Sequence, residues 1–255
     1  MRRGKKVRLV CSDIDGTVLG EPDSVVEFRK IWDGMGSERP VLMYNTGRLL
    51  EDAKRVIREG GLPMPDYFVG GVGTMVEEVA SGEVLTEYSQ VLDQNWERAR
   101  VHEIVSGFEG ITPQADEQQH EWKSSWFWQE ASAADLERLK SSLANAGLEA
   151  QVIYSSARDL DLLPMTANKG NALRWICERL GIGLDEVVVC GDTGNDSSMF
   201  LVPGVRGIAV GNAEAELLEA IAGTDAHHSK RICAAGVLEG LRLLDVIEEP
   251  HISDS

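Results

Sequence analysis

The sequence predicts an α/β protein, a doubly wound parallel-sheet core interrupted by an inserted α+β unit. Strand and helix signals alternate from Val7 to Gly71, as in parallel strands joined by right-handed crossovers. Between about Val84 and Leu163 the order becomes strand, helix, strand, helix, strand, strand. From Asn168 to Val210 the helix–strand alternation resumes. Residues 1–83 and 164–255 therefore form one core around an insert at 84–163.

Val7–Cys11 is apolar apart from Arg8 and stops just before Asp13, as expected of a buried strand. Ser24-Val25-Val26-Glu27 has the spacing of a capping box, and Phe28, Ile31, Trp32 and Met35 follow at helical intervals. Val41–Tyr44 is the second strand. A helix with Leu49, Ala53, Val56 and Ile57 on one face follows it and stops at Gly60-Gly61. Tyr67–Val69 is the third strand. In the insert, strands are expected at Val84–Tyr88, Glu121–Gln129, Gln151–Tyr154 and Leu160–Leu163. Helices are expected to start near Gln94 and at Ser132, where Ser132 and Asp135 have the capping spacing again. The core then resumes with a helix carrying Leu173, Ile176, Cys177 and Leu180, strands Val187–Cys190 and Gly207–Val210, and a helix from Asn212.

Of the 255 residues, 43% are hydrophobic and 26% charged, which suits a globular protein with a sizeable core. No run of about 18 apolar residues is present, so no membrane span is expected. The apolar stretch after the basic start is too short for a signal peptide, and a cytoplasmic location is expected. A formal charge of −17 argues against nucleic acid. The four cysteines, Cys11, Cys177, Cys190 and Cys233, lie far apart without a C-x-x-C pair and read as small buried hydrophobes.

Ligands of parallel sheets gather at the carboxyl ends of strands, and four polar segments stand at strand ends or open a helix. Asp13-Ile14-Asp15-Gly16-Thr17 aims two carboxylates the same way, and their repulsion needs a shared proton, a lysine or a divalent cation. Asn45-Thr46-Gly47-Arg48 offers a hydroxyl and backbone N–H groups to phosphate oxygens, or else Thr46 is an ordinary helix cap. Asn168-Lys169-Gly170-Asn171 puts a cation at a helix N-terminus against the macrodipole, which an anionic site would explain. Gly191-Asp192-Thr193-Gly194-Asn195-Asp196 supplies oxygen ligands on a glycine turn, suited to Mg²⁺, and lacks a full calcium-loop pattern.

Together these segments resemble the four motifs of the haloacid dehalogenase (HAD) superfamily: Asp13–Thr17, Thr46, Lys169, and Gly191-Asp192 with Asp196. The resemblance implies a Rossmann-like core, and the insert is similar to the type IIB cap of that superfamily. A finer resemblance is to the sucrose-phosphate phosphatase group. It is carried by Asn45–Arg48, Leu92–Trp96, Trp122-Lys123, Asp161–Pro164 and Asn168–Ala172. His120-Glu121 departs from it, where something closer to Asn-Pro is expected beside Trp122.

The resemblance implies a Mg²⁺-dependent phosphatase with Asp13 as nucleophile and Asp15 as general acid and base. It implies Mg²⁺ on a carboxylate oxygen of Asp13, the backbone carbonyl of Asp15 and the side chain of Asp192. Thr46, Gly47 and Arg48 would bind the phosphoryl group, and Lys169 would bind it as well and neutralise growing charge. Asp196 would orient Lys169 or a metal-bound water, and Asn195 would stand behind the ligands or be a marginal ligand itself, both on the substrate-binding side of the site. In the cap, which is expected to carry substrate selectivity, alternation puts Trp122, Ser124, Trp126 and Trp128 on one face and Lys123, Ser125 and Phe127 on the other. Lys123 is then a candidate to bind sugar hydroxyls, with Gln114, Arg158 and Asp161 weaker candidates. His227-His228 reads as an exposed turn.

The finer resemblance implies a small sugar phosphate as substrate, first of all a disaccharide phosphate such as sucrose 6-phosphate or mannosylfructose phosphate. The alternatives are a phosphatase for trehalose phosphate, mannosyl-phosphoglycerate or a broad set of sugar phosphates, a phosphomutase, and a catalytically silent binding module. A sugar-phosphate synthase is a candidate partner, and a monomer or a dimer is expected.

Overall fold

A computed structural model describes residues 5–92, 95–155 and 157–248 of the chain. Its elements are β1 (Leu9–Ser12), α1 (Pro22–Gly34), β2 (Val41–Asn45), α2 (Leu50–Gly60), β3 (Tyr67–Gly70), β4 (Met75–Glu78) and β5 (Glu83–Val84). Next come α3 (Ser89–Leu92), α4 (Arg98–Ser106), β6 (Ile111–Pro113), β7 (Ser124–Trp128), α5 (Ala133–Asn145), β8 (Ala150–Ser155) and β9 (Asp159–Pro164). The last are α6 (Lys169–Leu180), β10 (Val187–Gly191), α7 (Ser197–Phe200), β11 (Arg206–Ala209), α8 (Ala215–Ile221), β12 (His227–His228) and α9 (Cys233–Leu243). The chain divides into two compact units, residues 1–84 with 169–255, and residues 85–168. Residues 164–168 thus fall with the inserted unit and not with the core. The Gln151 side-chain amide explains this, because it donates to the backbone carbonyls of Pro164, Met165 and Ala167.

The first unit holds an eight-stranded sheet in the order β12-β11-β10-β1-β2-β3-β4-β5. All neighbours from β12 to β3 are parallel, and β4 and β5 add antiparallel strands at one edge. Every residue of β1, β3 and β10 is buried, so these strands read as continuous apolar runs without alternation. The strand order reverses at β1, which lies between β10 and β2, with Ser12 opposite Cys190 on one side and Tyr44 on the other. Such a switch point opens a crevice beyond the carboxyl ends of the strands. Val10, Leu42, Tyr44, Val188 and Ile208 pack with Phe28 and Trp32 of α1 and with Val237 and Leu241 of α9. All four cysteines are free and buried, as expected.

The second unit has a four-stranded antiparallel sheet, β6-β7-β9-β8. Trp126, Trp128, Leu160 and Leu162 pack with Val101 and Val105 of α4 and Leu139 and Leu143 of α5. Ser132 caps α5 with the expected box: Asp135 N donates to Ser132 Oγ at 3.2 Å and Ser132 N to Asp135 Oδ2 at 2.9 Å.

Several local expectations are corrected. Helix α1 starts at Pro22, not at a Ser24 box, because the fixed φ of proline suits a first helical position. The Ser24 hydroxyl instead donates back to the Glu21 carbonyl at 2.9 Å. The strand expected over Val84–Tyr88 ends at Val84, and Thr86–Tyr88 is a 3₁₀ turn. The strand expected over Glu121–Gln129 covers only Ser124–Trp128, since Lys123 and His120 close a tight turn on each other's backbone. Helix α4 begins at Arg98; Gln94, its expected start, lies outside the described residues. Asn212 does not start a helix: α8 begins at Ala215. His227-His228 forms an edge strand, not a turn. Among the described residues, no helix is long and apolar enough to cross a membrane.

Candidate active site

The carboxyl ends of β1 and β10 bring two of the four segments side by side. Asp13 N donates to the Cys190 carbonyl at 3.0 Å, which continues the β1–β10 ladder one residue past the strand and fixes where the Asp13 carboxylate starts. The chain then folds back on itself, with Val18 N and Leu19 N both donating to the Ile14 carbonyl. Gly16 makes the fold-back possible with φ +75, and a β-carbon there would stand 2.1 Å from Asp192 Oδ2. Only glycine fits both demands. Thr17 Oγ1 donates to Asp192 Oδ1 at 2.7 Å and clamps the two loops together.

Lys169, the first residue of α6, has no exposed surface, and its Nζ donates to Asp13 Oδ1 and Asp196 Oδ1, each at 2.6 Å. The other oxygen of Asp196 accepts from the backbone N–H of Asp192 at 3.0 Å and of Thr193 at 3.1 Å. Both oxygens of Asp196 are therefore committed, one to the lysine and one to the turn. Asn45 Nδ2 donates to the Lys169 carbonyl at 2.9 Å, tying the end of β2 to the start of α6. A lysine that opposes the macrodipole of its own helix is thus balanced by two carboxylates.

The charges do not cancel. Asp13, Asp192 and Asp196 place carboxylate oxygens within 4.8 Å of one another, and Lys169 is the ammonium among them. Burial is the first cause that pushes the Asp13 carboxyl well above its ordinary range, against the lowering pull of Lys169. Burial likewise pushes Asp192 up to about 6, with Asp196 adding to the rise and Thr17 opposing it. Lys169 is held above its usual range by Asp13 and Asp196, which together outweigh the lowering effect of burial. Buried all-oxygen ligands with surplus negative charge suit a hard divalent cation such as Mg²⁺. Asp196 has both oxygens committed, which leaves Asp13 and Asp192 as the members that could hold it.

Thr46 is buried at the end of β2, and its N–H donates to the Val69 carbonyl. It is not a helix cap, because α2 begins four residues later at Leu50. Its hydroxyl oxygen accepts the Arg48 N–H at 3.2 Å and keeps its own O–H for another acceptor. Gly47 follows in the same loop. The Asp15 carboxylate does not join the acidic cluster. Arg48 Nε and Nη2 hold its two oxygens at 2.7 Å each, and Arg48 Nη1 donates to Asp52 Oδ2 at 2.5 Å. Asn195 is exposed on the 194–196 turn.

Lys123 belongs to the second unit and is 5% exposed. Its Nζ donates to Ser125 Oγ at 2.6 Å and Asp161 Oδ1 at 2.7 Å. On the same sheet face Gln114 Nε2 donates to Asp159 Oδ1 at 3.3 Å, and the Arg158 guanidinium lies 5.2 Å from the Phe127 ring centre.

Sequence reasoning gave no role to Thr17, Asn45 or Asn212. Thr17 and Asn45 lie within the motifs, and for Asn45 a polar residue at a buried strand end is the signal. Asn212 Nδ2 donates to the Gly16 carbonyl at 2.8 Å while its Oδ1 accepts from Cys233 N at 2.9 Å, and nothing local in the sequence announces that bridge.

The family described as "Sucrose-6F-phosphate phosphohydrolase" matches this chain over residues 6–245. Mannosylfructose-phosphate phosphatase from Agrobacterium fabrum is 44% identical over 241 residues, 93% of this chain and 97% of that protein. Sucrose-phosphatase 1 from Nicotiana tabacum is 32% identical over 91% of this chain, which spans 58% of that relative's length. The X-ray structure of the sucrose-phosphatase from Synechocystis sp. PCC6803, in complex with sucrose and phosphate, is 30% identical with a TM-score of 0.83, covering 94% of this chain and 98% of that one. A haloacid dehalogenase-like hydrolase from Bacteroides thetaiotaomicron, 18% identical with a TM-score of 0.67 over 94% of this chain and 100% of that one, shares the fold.

Proposed function

This chain belongs to the sucrose-6F-phosphate phosphohydrolase family and is a sugar-phosphate phosphatase of the HAD fold, and from that premise we propose that it hydrolyses a disaccharide phosphate through an aspartyl-phosphate on Asp13. The observation that carries the mechanism is the buried Asp13 carboxylate, one oxygen held by Lys169 at 2.6 Å. A carboxylate oriented through one oxygen presents the other for in-line attack.

In the first step Asp13 Oδ2 bonds to phosphorus, the bond from phosphorus to the sugar oxygen breaks, and the Asp15 carboxyl gives its proton to that oxygen. In the second, a water oxygen bonds to phosphorus, the bond from phosphorus to Asp13 breaks, and Asp15 takes the water's proton. Thr46 Oγ1 and the Gly47 N–H donate to the phosphoryl oxygens, and Lys169 balances charge as it moves from substrate to enzyme. Asp196 keeps Lys169 aimed. The Asp13 and Asp192 carboxylates and the Asp15 carbonyl would hold Mg²⁺, which would supply electrostatic stabilisation of the phosphoryl oxygens.

Among disaccharide phosphates, the 44% identity over nearly the full length of both chains favours mannosylfructose phosphate over sucrose 6-phosphate. The test is phosphate release from both compounds, trehalose 6-phosphate and a set of hexose phosphates, with Mg²⁺ and with EDTA. The expected result is a Mg²⁺-dependent rate far higher for one fructose-containing disaccharide phosphate than for the rest. An even profile across the set would overturn the disaccharide reading, and undiminished rates in EDTA would overturn the cation.

A further inference from the structure

Each guanidinium nitrogen of Arg48 already donates to a carboxylate, which leaves one N–H on Nη1 and one on Nη2. Its Nε and Nη2 form a fork on the two oxygens of Asp15, and its Nη1 reaches Asp52 Oδ2 in the first turn of α2. Even its backbone N–H is committed, to Thr46 Oγ1. Asp52 is itself paired with Arg55, one turn further along the helix. Asp15 thus sits at the end of a chain of ion pairs anchored in α2. The link is geometric as well as electrostatic, because a guanidinium fork fixes the plane of a carboxylate in a way an ammonium does not.

We infer that Arg48 is a positioning residue for Asp15, which it holds in a fixed plane through α2, and that it does not grip the phosphoryl group. The inference rests on the reading of Asp15 as general acid and base. A carboxyl group that delivers a proton to a leaving oxygen must stand in line with it, and it gains little when its plane is free to rotate. Loop residues 13–19 fix the Asp15 backbone, and Arg48 fixes the carboxyl group at its end. A sugar alkoxide leaves poorly without a proton, whereas nitrophenolate leaves unaided. Misplacing the acid therefore slows sugar phosphates selectively. Losing a phosphate ligand slows both substrates and weakens the binding of inorganic phosphate.

The experiment measures kcat/KM for mannosylfructose phosphate and for p-nitrophenyl phosphate, together with the inhibition constant of inorganic phosphate. It uses wild-type enzyme and the Arg48→Gln, Arg48→Lys, Asp52→Asn and Asp15→Asn variants, each checked by thermal melt. General acid catalysis contributes about 10²–10⁴-fold, so Arg48→Gln is expected to lose at least about tenfold more on the sugar phosphate than on the aryl phosphate. Inhibition by phosphate should stay within about twofold. Arg48→Lys should behave like Arg48→Gln, because charge alone does not restore the fork, and Asp52→Asn should show a smaller loss of the same kind. Equal losses on both substrates with weakened phosphate inhibition, full rescue by lysine, or no change in any variant would each overturn the inference. Asp15→Asn separates it from its premise. If that variant shows the substrate split and Arg48→Gln does not, the inference alone falls; if Asp15→Asn shows no split, the acid role of Asp15 falls first.

Discussion

Replacing Lys169 by methionine removes the ammonium while keeping most of the side-chain length, so it isolates the charge. In the wild-type chain Nζ makes two 2.6 Å bonds to carboxylates, from a side chain with no exposed surface to partners that are 8% and 0% exposed. Removing one partner of a buried ion pair costs about 3–5 kcal/mol. Two hydrogen bonds to charged groups at about 1.5–3 kcal/mol each lead to a similar range. The loss falls at the lower end, because Asp13, freed from the lowering pull of the ammonium, takes up a proton more readily. Urea unfolding of the metal-free enzyme is the assay, run as a double-mutant cycle with Asp196→Asn. The expected coupling is about 1.5–3 kcal/mol, since the two side chains are in direct contact. A Lys169→Met enzyme within about 1 kcal/mol of wild type would show that water solvates the pair and would refute the buried-charge argument.

Three other outcomes follow from the geometry. Gly16→Ala places a methyl group against Asp192 Oδ2 at a φ of +75, so Mg²⁺-dependent turnover should fall at least about tenfold, as a displacement near 1 Å can cost about a hundredfold; unchanged turnover would show that the loop adapts. Saturating Mg²⁺, at about a hundred times its dissociation constant, should stabilise the wild-type enzyme by about 2.7 kcal/mol. Asp192→Asn should abolish that shift in a thermal melt, and an equal shift in the variant would place the cation elsewhere. Ser132→Ala removes both hydroxyl bonds of the α5 capping box and should destabilise the inserted unit by about 1 kcal/mol in urea; no measurable change would mean that the cap adds nothing there.

The core strands were legible because burial on both faces leaves a continuous apolar signature. Val41–Tyr44, Tyr67–Val69 and Val187–Cys190 each match an observed strand to within one residue. The Ser132 box was legible for a different reason, since its spacing is a local chemical rule that tertiary context did not override. Ser24 has the same spacing, yet there Pro22 set the helix start and the serine hydroxyl turned back to Glu21. The three-residue β6, the four-residue β4 and the two-residue edge strand β5 carry too few apolar positions to show a period. At the site, the motifs pointed to Asp13, Lys169, Asp192 and Asp196, which the fold brings together. What they could not show was partnership. Arg48 and Asp15 lie thirty-three positions apart, and their fork depends on how β1 and β2 adjoin at the switch point. Asn212 meets Gly16 across 196 positions, by sheet order alone.

The most direct test of the account is an acid quench of the Asp15→Asn enzyme, mixed with Mg²⁺ and p-nitrophenyl phosphate, whose leaving group needs no acid, followed by intact-mass and peptide mass spectrometry. This variant retains the nucleophile and lacks the base for the second step. The account expects the mass of one phosphoryl group on the peptide that contains Asp13, and none on an Asp13→Asn enzyme treated alike. No added mass, together with an Asp13→Asn enzyme that keeps more than about a hundredth of the wild-type rate, would contradict a covalent step at Asp13.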